Sequence, residues 1–290
     1  MITNPNLRLL AAVLLMFMTI ASFTMMAIAG RYVSDELDTF EIMMYRSFVG
    51  IAVVLALGWY FGTLGQITRR HKGTHFTRNL AHFTGQNLWF YAVTVIPLTQ
   101  LFALEFTSPL WVLLLSPMVL GERLTRMRIL AAVMGFAGIL IITRPWEFGI
   151  SFGVTTAALS AAAFAWTTLM TKKLTRTETV TCVLFYLTVM QAVFGVICAG
   201  YDGDIAVPSM TALPYVMVIA LCGLLAHFCI TSALALAPAT VVIPVDFARL
   251  PMIAVIGMLA YGEALDIMVL AGAVLIFVGN YSNILHETRG

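Results

Sequence analysis

Residues 97–138 read PLTQLFALEFTSPLWVLLLSPMVLGERLTRMRILAAVMGFAG, and residues 238–279 read PATVVIPVDFARLPMIAVIGMLAYGEALDIMVLAGAVLIFVG. Laid over each other without a gap, at an offset of 141 residues, they set Pro97 on Pro238, Thr99 on Thr240, Glu105 on Asp246 and Phe106 on Phe247. Gly121, Glu122, Leu124 and Gly138 fall on Gly262, Glu263, Leu265 and Gly279, and further back Gln86 falls on His227. Apolar runs of this length, punctuated by Gly and Pro and repeated within one chain, are the pattern of duplicated membrane helices.

The rest of the chain agrees. Of its 290 residues 61% are apolar and only 10% are charged, with a mean hydropathy of +0.95. A soluble domain carries about 25% charged residues, so so few charges could not cover a water-facing surface. A cytosolic enzyme, a secreted disulfide domain, a nucleic-acid binder and a disordered chain are excluded, and the expected surroundings are a lipid bilayer. A net charge of +2 is too small to call for a polyanionic partner. Cys182, Cys198, Cys222 and Cys229 lie in apolar stretches without metal-ligand spacing and read as small core hydrophobes. No metal or cofactor is expected.

Ten spans are predicted, at 9–30, 42–62, 79–96, 99–120, 128–143, 150–171, 180–200, 211–233, 238–260 and 267–285. Continuous apolar runs such as Ile267–Val278 do not alternate as the strands of a membrane barrel would, which leaves helices. Twelve of the 16 Lys and Arg fall on the side of the N-terminus, while Arg31 and Arg144 fall on the other and Arg46 and Arg249 lie within spans. By the positive-inside rule both termini are cytoplasmic, in a multi-pass protein of the bacterial-type inner membrane. Ala27-Ile28-Ala29 before Gly30 has the look of a signal-peptidase site, but the apolar run ahead of it is longer than the usual ~7–15 residues. The repeat also needs that run as a span. The expected fold is all-α: two five-helix repeats, 1–145 and 146–290. Five is odd, so the second repeat is inverted relative to the first, and a substrate cavity is expected between the halves.

The segment ALEFTSPLWVLLLSPMVLGERLTRMRILAAVMGFAGILIITRP at 103–145, its echo at 242–265, EIMMYRSFVG at 41–50 and AAAFAWTTLMTKKL at 161–174 resemble the EamA domain of the drug/metabolite transporter superfamily. The resemblance covers essentially the whole chain as two copies, with the Gly-Glu pairs at 121–122 and 262–263 as its signature. It implies ten helices, a central cavity and alternating-access transport of small metabolites. Within the superfamily the chain is most similar to bacterial carriers of amino-acid-like metabolites, cofactors or nucleoside-type compounds.

Ionisable side chains within the membrane are costly and mark functional candidates. Glu105 and its repeat partner Asp246 are expected to face one cavity, where they suit proton coupling or structural acceptance. Arg249 shares a helix face with Asp246, three residues away. It is either that residue's ion partner or an anchor for an anionic substrate group through two parallel hydrogen bonds. Pro109, Pro244 and Pro251 open the backbone around these residues. His82 and Gln86, four residues apart, form a polar stripe in the third span that, with His227, reads as cavity lining or interhelical hydrogen bonding. Trp111 and Trp166 are the aromatic candidates for the cavity. Arg46 is expected to snorkel or to pair with Glu41 or the acids Asp35, Glu36 and Asp38, and the resemblance implies a structural or gating role.

The expected function is therefore a secondary carrier of a small polar or zwitterionic metabolite, amino-acid-like or cofactor-like, working by alternating access, with Glu105 and Asp246 as the candidates for proton coupling. An intramembrane enzyme, or a channel or sensor using the same polar site, is the alternative. No Walker A, HExxH or CxxC pattern occurs in the chain.

Overall fold

The computed structural model describes residues 5–120, 126–148, 150–236, 245–246, 249–264 and 266–289. Its helices are α1 Pro5–Val33, α2 Thr39–Tyr60, α3 Lys72–Val95, α4 Leu98–Glu105, α5 Ser108–Leu120, α6 Arg126–Thr143, α7 Pro145–Phe148, α8 Phe152–Leu174, α9 Val180–Ala199, α10 Leu213–Leu236, α11 Arg249–Tyr261 and α12 Ile267–Arg289. The ten expected spans are present, with α4 and α5 together as the fourth and α11 as the described part of the ninth. Five helices are long and apolar enough to cross a membrane on those grounds alone: α1, α2, α8, α9 and α10. Helix starts carry their caps. Asp38 and Glu41 form a reciprocal capping box on α2, and Ser151 and Thr179 cap α8 and α9.

The 141-residue offset holds for the helices themselves. It carries α3 onto α10 and α5 onto α11 end to end, and sets the start of α2 on that of α9 and the start of α6 on that of α12. The packing follows the same relation. The four most extensive pairings are α1 with α10, α3 with α8, α2 with α9 and α6 with α12. The offset exchanges the first two pairings and maps α2–α9 and α6–α12 onto themselves, the pattern of a two-fold relation between the halves. Tyr45 donates its hydroxyl to the Ala206 carbonyl at 2.9 Å, and Tyr186, at the same offset, donates to the Thr68 carbonyl at 2.8 Å. Each tyrosine thus pins a connecting loop of the opposite half.

Small residues let the self-paired helices meet. A Cβ on Gly138 would lie 2.7 Å from the Gly272 carbonyl oxygen, and one on Gly272 would lie 2.6 Å from that of Gly138. One step along the pair, a Cβ on Gly279 would lie 3.1 Å from the Ala131 carbonyl oxygen. Outer faces are apolar, with Leu14, Phe17, Val133 and Ile197 exposed, while His75, Arg78, Asn79, His82, Gln86 and Gln191 are buried. This polar-in, apolar-out arrangement is what a bilayer solvent requires.

Two expectations need correction. The third span begins at Lys72, not at residue 79, so Lys72 and Arg78, read as loop charges, belong to α3, and Arg78 is 3% exposed. A reading by hydropathy cuts away its first two turns because they are polar. The fourth span is not a continuous helix. It breaks directly after Glu105, where Thr107 donates its hydroxyl to the Leu104 carbonyl at 2.7 Å and its own carbonyl receives Leu110 N–H at 2.9 Å. Pro109 lacks the N–H that would have closed onto the Glu105 carbonyl. Pro251 is the third residue of α11 as described, Arg249–Tyr261. Pro244, Pro238, Thr240, Phe247 and the Gly121–Glu122 pair lie outside the described residues, as do the side chains of Pro109 and Pro251.

Candidate functional site

α3 carries a polar stripe at 75, 78–79, 82, 86 and 89, three to four residues apart and therefore on one helix face. Arg78 donates from Nε to Thr171 Oγ1 at 3.0 Å and from Nη1 to Asn79 Oδ1 at 2.7 Å. His82 meets His227 of α10 edge-on, with ring centroids 4.9 Å apart. Gln86 Oε1 accepts from Arg46 Nη1 at 2.5 Å. Trp89 Nε1 donates to Glu105 Oε2 at 2.8 Å. The stripe thus leads from one end of the bundle to the helix break after Glu105.

At that break three charges meet. Arg249 Nη1 lies 3.1 Å from Glu105 Oε1, and Nη2 donates to Asp246 Oδ2 at 2.6 Å. The guanidinium is 4% exposed and lies 5.0 Å from the ring centre of Phe102 and 5.4 Å from those of Phe23 and Phe106. Arg249 thus sits against Asp246, three residues away, and reaches Glu105 of the first repeat. What the sequence did not disclose is that one guanidinium bridges both acids. Two carboxylates against one guanidinium leave a formal charge of −1. Among the described residues Asp246 Oδ1 and Arg249 Nε are buried without a hydrogen-bond partner.

A second polar region lies between α2 and α9. A crevice there is lined by Arg46, Ser47, Gly50, Leu187, Thr188 and Gln191, with Ala220 and Leu224 of α10. Arg46 and Leu187, Ser47 and Thr188, and Gly50 and Gln191 are repeat partners at the 141-residue offset, so the crevice sits on the two-fold relation itself. Arg46 does not snorkel, and among the described residues it pairs with no acid. It is 7% exposed, and Glu41 is occupied in the cap of α2 and by Ala206 N–H at 2.5 Å. Glu36 accepts from Ser209.

One end of the bundle is latched. Arg31 donates to the carbonyls of Val93 and Ile96 and to Glu263 Oε1, each at 2.7 Å, and Glu263 Oε2 accepts Leu98 N–H at 3.0 Å. The guanidinium also covers the Tyr261 ring at 4.7 Å. Glu263 belongs to the second Gly-Glu pair, so that signature residue ties α1, the α3–α4 turn and the end of α11 together. Gly262 sits at φ +64°, a conformation that favours glycine. Arg144, the other charge outside the dominant basic side, pairs with Asp266.

Of the remaining candidates, Trp111 packs edge-on against Phe136 of α6 at 5.6 Å, and Trp166 is half-buried on α8. Trp89, Arg78, Asn79, Gln191 and Thr188 were not among the expected site residues. The heptad-like spacing of 82, 86 and 89 would have found Trp89. Gln191 carries no such signal, because it stands alone in an apolar helix.

The EamA-like transporter family pattern matches this chain twice, at residues 10–144 and 151–284. An S-adenosylmethionine uptake transporter of Rickettsia bellii is 26% identical over 90% of this chain and 89% of its own length. A riboflavin transporter of Brucella anthropi is 32% identical over 71% of this chain and 74% of its own, and the pseudopaline exporter CntI of Pseudomonas aeruginosa is 26% identical over 92% and 94%. A crystal structure of a protein 19% identical superposes with a TM-score of 0.67 over 96% of this chain and 98% of the other, a likeness of fold alone. Two matched copies, ten spans and the latch built on the Gly-Glu signature lead to one assignment: the chain belongs to the EamA-like transporter family of the drug/metabolite transporter superfamily, whose members move small molecules across membranes.

Proposed function

We propose that this protein is a secondary carrier of a small polar metabolite of cofactor-like type, working by alternating access in a bacterial cytoplasmic membrane with both termini inside. The repeats 1–145 and 146–290 are the units that rock against each other, and Glu105, Asp246 and Arg249 form the polar centre between them. The observation that carries this reading is the bridged pair of repeat-related carboxylates at a helix break. A buried charge cluster is a poor way to stabilise a fold, and irregular backbone at membrane depth is tolerated where it lines a cavity. The named relatives, carriers of S-adenosylmethionine and riboflavin, support a substrate with a planar heteroaromatic part and polar ends. His82, Gln86 and His227 line the path to the centre, and Trp89 extends it.

Proton coupling is assigned to Glu105 and Asp246. Purified protein in liposomes should take up S-adenosylmethionine or riboflavin with saturation and counterflow, at a rate that depends on pH. Glu105→Gln and Asp246→Asn should each flatten that dependence while leaving substrate exchange measurable. Uptake without saturation would point to a channel. An unchanged pH profile in both variants would reduce the acids to structural acceptors.

The Arg31–Glu263 latch is the proposed gate at its end of the bundle. Thr99 lies beneath it and is 7% exposed. In a background lacking the four native cysteines, Thr99→Cys should react slowly with a maleimide in detergent solution. Adding Glu263→Gln removes a charged partner worth about 1.5–3 kcal/mol, so labelling should accelerate roughly 10- to 150-fold. An unchanged rate would remove the latch from the gating scheme.

A further inference from the structure

The end of α3 remote from the Arg31–Glu263 latch carries a cluster of cations drawn from both repeats. Arg69, Arg70 and Lys72 run from the loop after α2 into the first turn of α3, and Lys172, Lys173 and Arg176 lie at the end of α8 and just beyond it. Tertiary contacts join the two groups. Thr68 donates its hydroxyl to Glu178 at 2.7 Å, Tyr186 donates to the Thr68 carbonyl at 2.8 Å, and Arg78 Nε reaches Thr171 Oγ1 at 3.0 Å. All six cationic side chains are exposed, and among the described residues none has an ion pair or a side-chain hydrogen bond. The sequence holds no acid between Glu41 and Glu105 or between Glu147 and Glu178. Glu178 itself is 6% exposed and turned onto Thr68.

The fold does not require these charges, because its other copy does without them. At the 141-residue offset Arg69, Arg70 and Lys72 correspond to Met210, Thr211 and Leu213, and Lys173 and Arg176 correspond to Tyr32 and Asp35. Lys172 corresponds to Arg31, whose guanidinium is spent inside the latch. At the opposite end the same frame therefore presents aromatic, neutral and acidic groups. Tyr32 stacks there on Tyr215 with ring centroids 4.9 Å apart, and Glu36 accepts from Ser209.

The basic cluster stands at headgroup level. Trp59, Tyr60 and Phe61 at the end of α2 are exposed, as in the aromatic belt of a membrane–water boundary. Beneath Lys72 on the same face of α3, Phe76 and Leu80 are exposed as well. A Cβ on Gly73 or Gly65 would meet nothing within 4 Å, so the surface around the cations is open. The first turn of α3 has no side-chain cap, and its N–H groups add to the positive field. Cations above, aromatics at the boundary and apolar side chains beneath complement a lipid with a negative headgroup. We infer that the start of α3 and the end of α8 form a seat for an anionic phospholipid, its phosphate between residues 69–72 and 172–176 and its acyl chains along the outer face of α3. Such a lipid ties one repeat to the other, and its binding does not depend on which substrate is carried.

The test titrates the purified protein in detergent with phosphatidylglycerol or with phosphatidylcholine at equal mole fraction and reads the thermal stabilisation by each. Phosphatidylglycerol should raise Tm more. The quadruple change Arg69→Gln, Arg70→Gln, Lys172→Gln and Lys173→Gln should increase the phosphatidylglycerol needed for half of that shift at least about 10-fold. These side chains are exposed and unpaired, and eight of the twelve basic residues on their side remain to orient the chain. If the quadruple change does not fold, the pair Arg69→Gln with Lys172→Gln, one from each repeat, takes its place. Arg126→Gln is the control. It removes an exposed charge at the start of α6, which packs mainly on α12, and should leave the titration unchanged. Raising ionic strength from about 0.1 M to about 1 M shortens the screening length from about 10 Å to about 3 Å, and should shrink the wild-type difference between the two lipids. Equal stabilisation by both lipids, or a difference indifferent to salt, would overturn the assignment. So would a preference that survives the quadruple change, an equal loss in Arg126→Gln, or a matching stabilisation by inorganic phosphate alone.

Discussion

Arg249→Met is expected to leave little folded protein. The change strands Glu105 and Asp246 in the interior with no cation between them, and breaking a buried ion pair costs about 3–5 kcal/mol. Glu105 would keep only the Trp89 hydrogen bond. Because one guanidinium serves both acids, removing Asp246 as well should restore only part of the loss. The triple change Arg249→Met, Asp246→Leu and Glu105→Gln should bring thermal stability in detergent back to within about 1–2 kcal/mol of the wild type, yet show no uptake in liposomes. Uptake by the triple variant would show that the cluster is structural. Arg249→Lys, which keeps the charge but loses the fork that spans two carboxylates, should fold better than Arg249→Met and transport poorly.

Gly272→Leu should be at least as damaging, for a steric reason. At this crossing of α6 and α12 even a single carbon would stand 2.6 Å from a backbone carbonyl oxygen, and a backbone, unlike a flexible side chain, cannot swing aside. Gly272→Ala should cost about 1–3 kcal/mol as the helices are forced apart, and leucine should prevent recovery of a monodisperse protein by size-exclusion chromatography. Gly138→Ala should match Gly272→Ala, since the two glycines oppose each other across the contact. Gly73→Ala is the control. Nothing lies within 4 Å of a Cβ there, and alanine in a helix is favoured over glycine by about 1 kcal/mol, so Tm should hold or rise. A neutral Gly272→Ala would mean that the helices are free to separate at this crossing.

Much of this protein is decided by its residue order. The apolar runs set the number of helices, because lipid leaves the backbone no other way to satisfy its donors and acceptors. The 141-residue repeat set Glu105 opposite Asp246 before any coordinates, and the spacing of Asp246 and Arg249 placed them on one helix face. These are properties of local periodicity and of duplication, and both are written in one dimension. Tertiary structure alone decided who meets whom. Arg249 reaches Glu105 across 144 positions of chain, and Arg31 reaches Glu263 across 232. Arg46 pairs with Gln86 of another helix rather than with the acids beside it in sequence. Arg78 is a loop charge by hydropathy and an interior residue by packing, because α3 buries a polar face that averaging over a window conceals. Partnership inside a membrane depends on which helix faces are pressed together, and no single span carries that information.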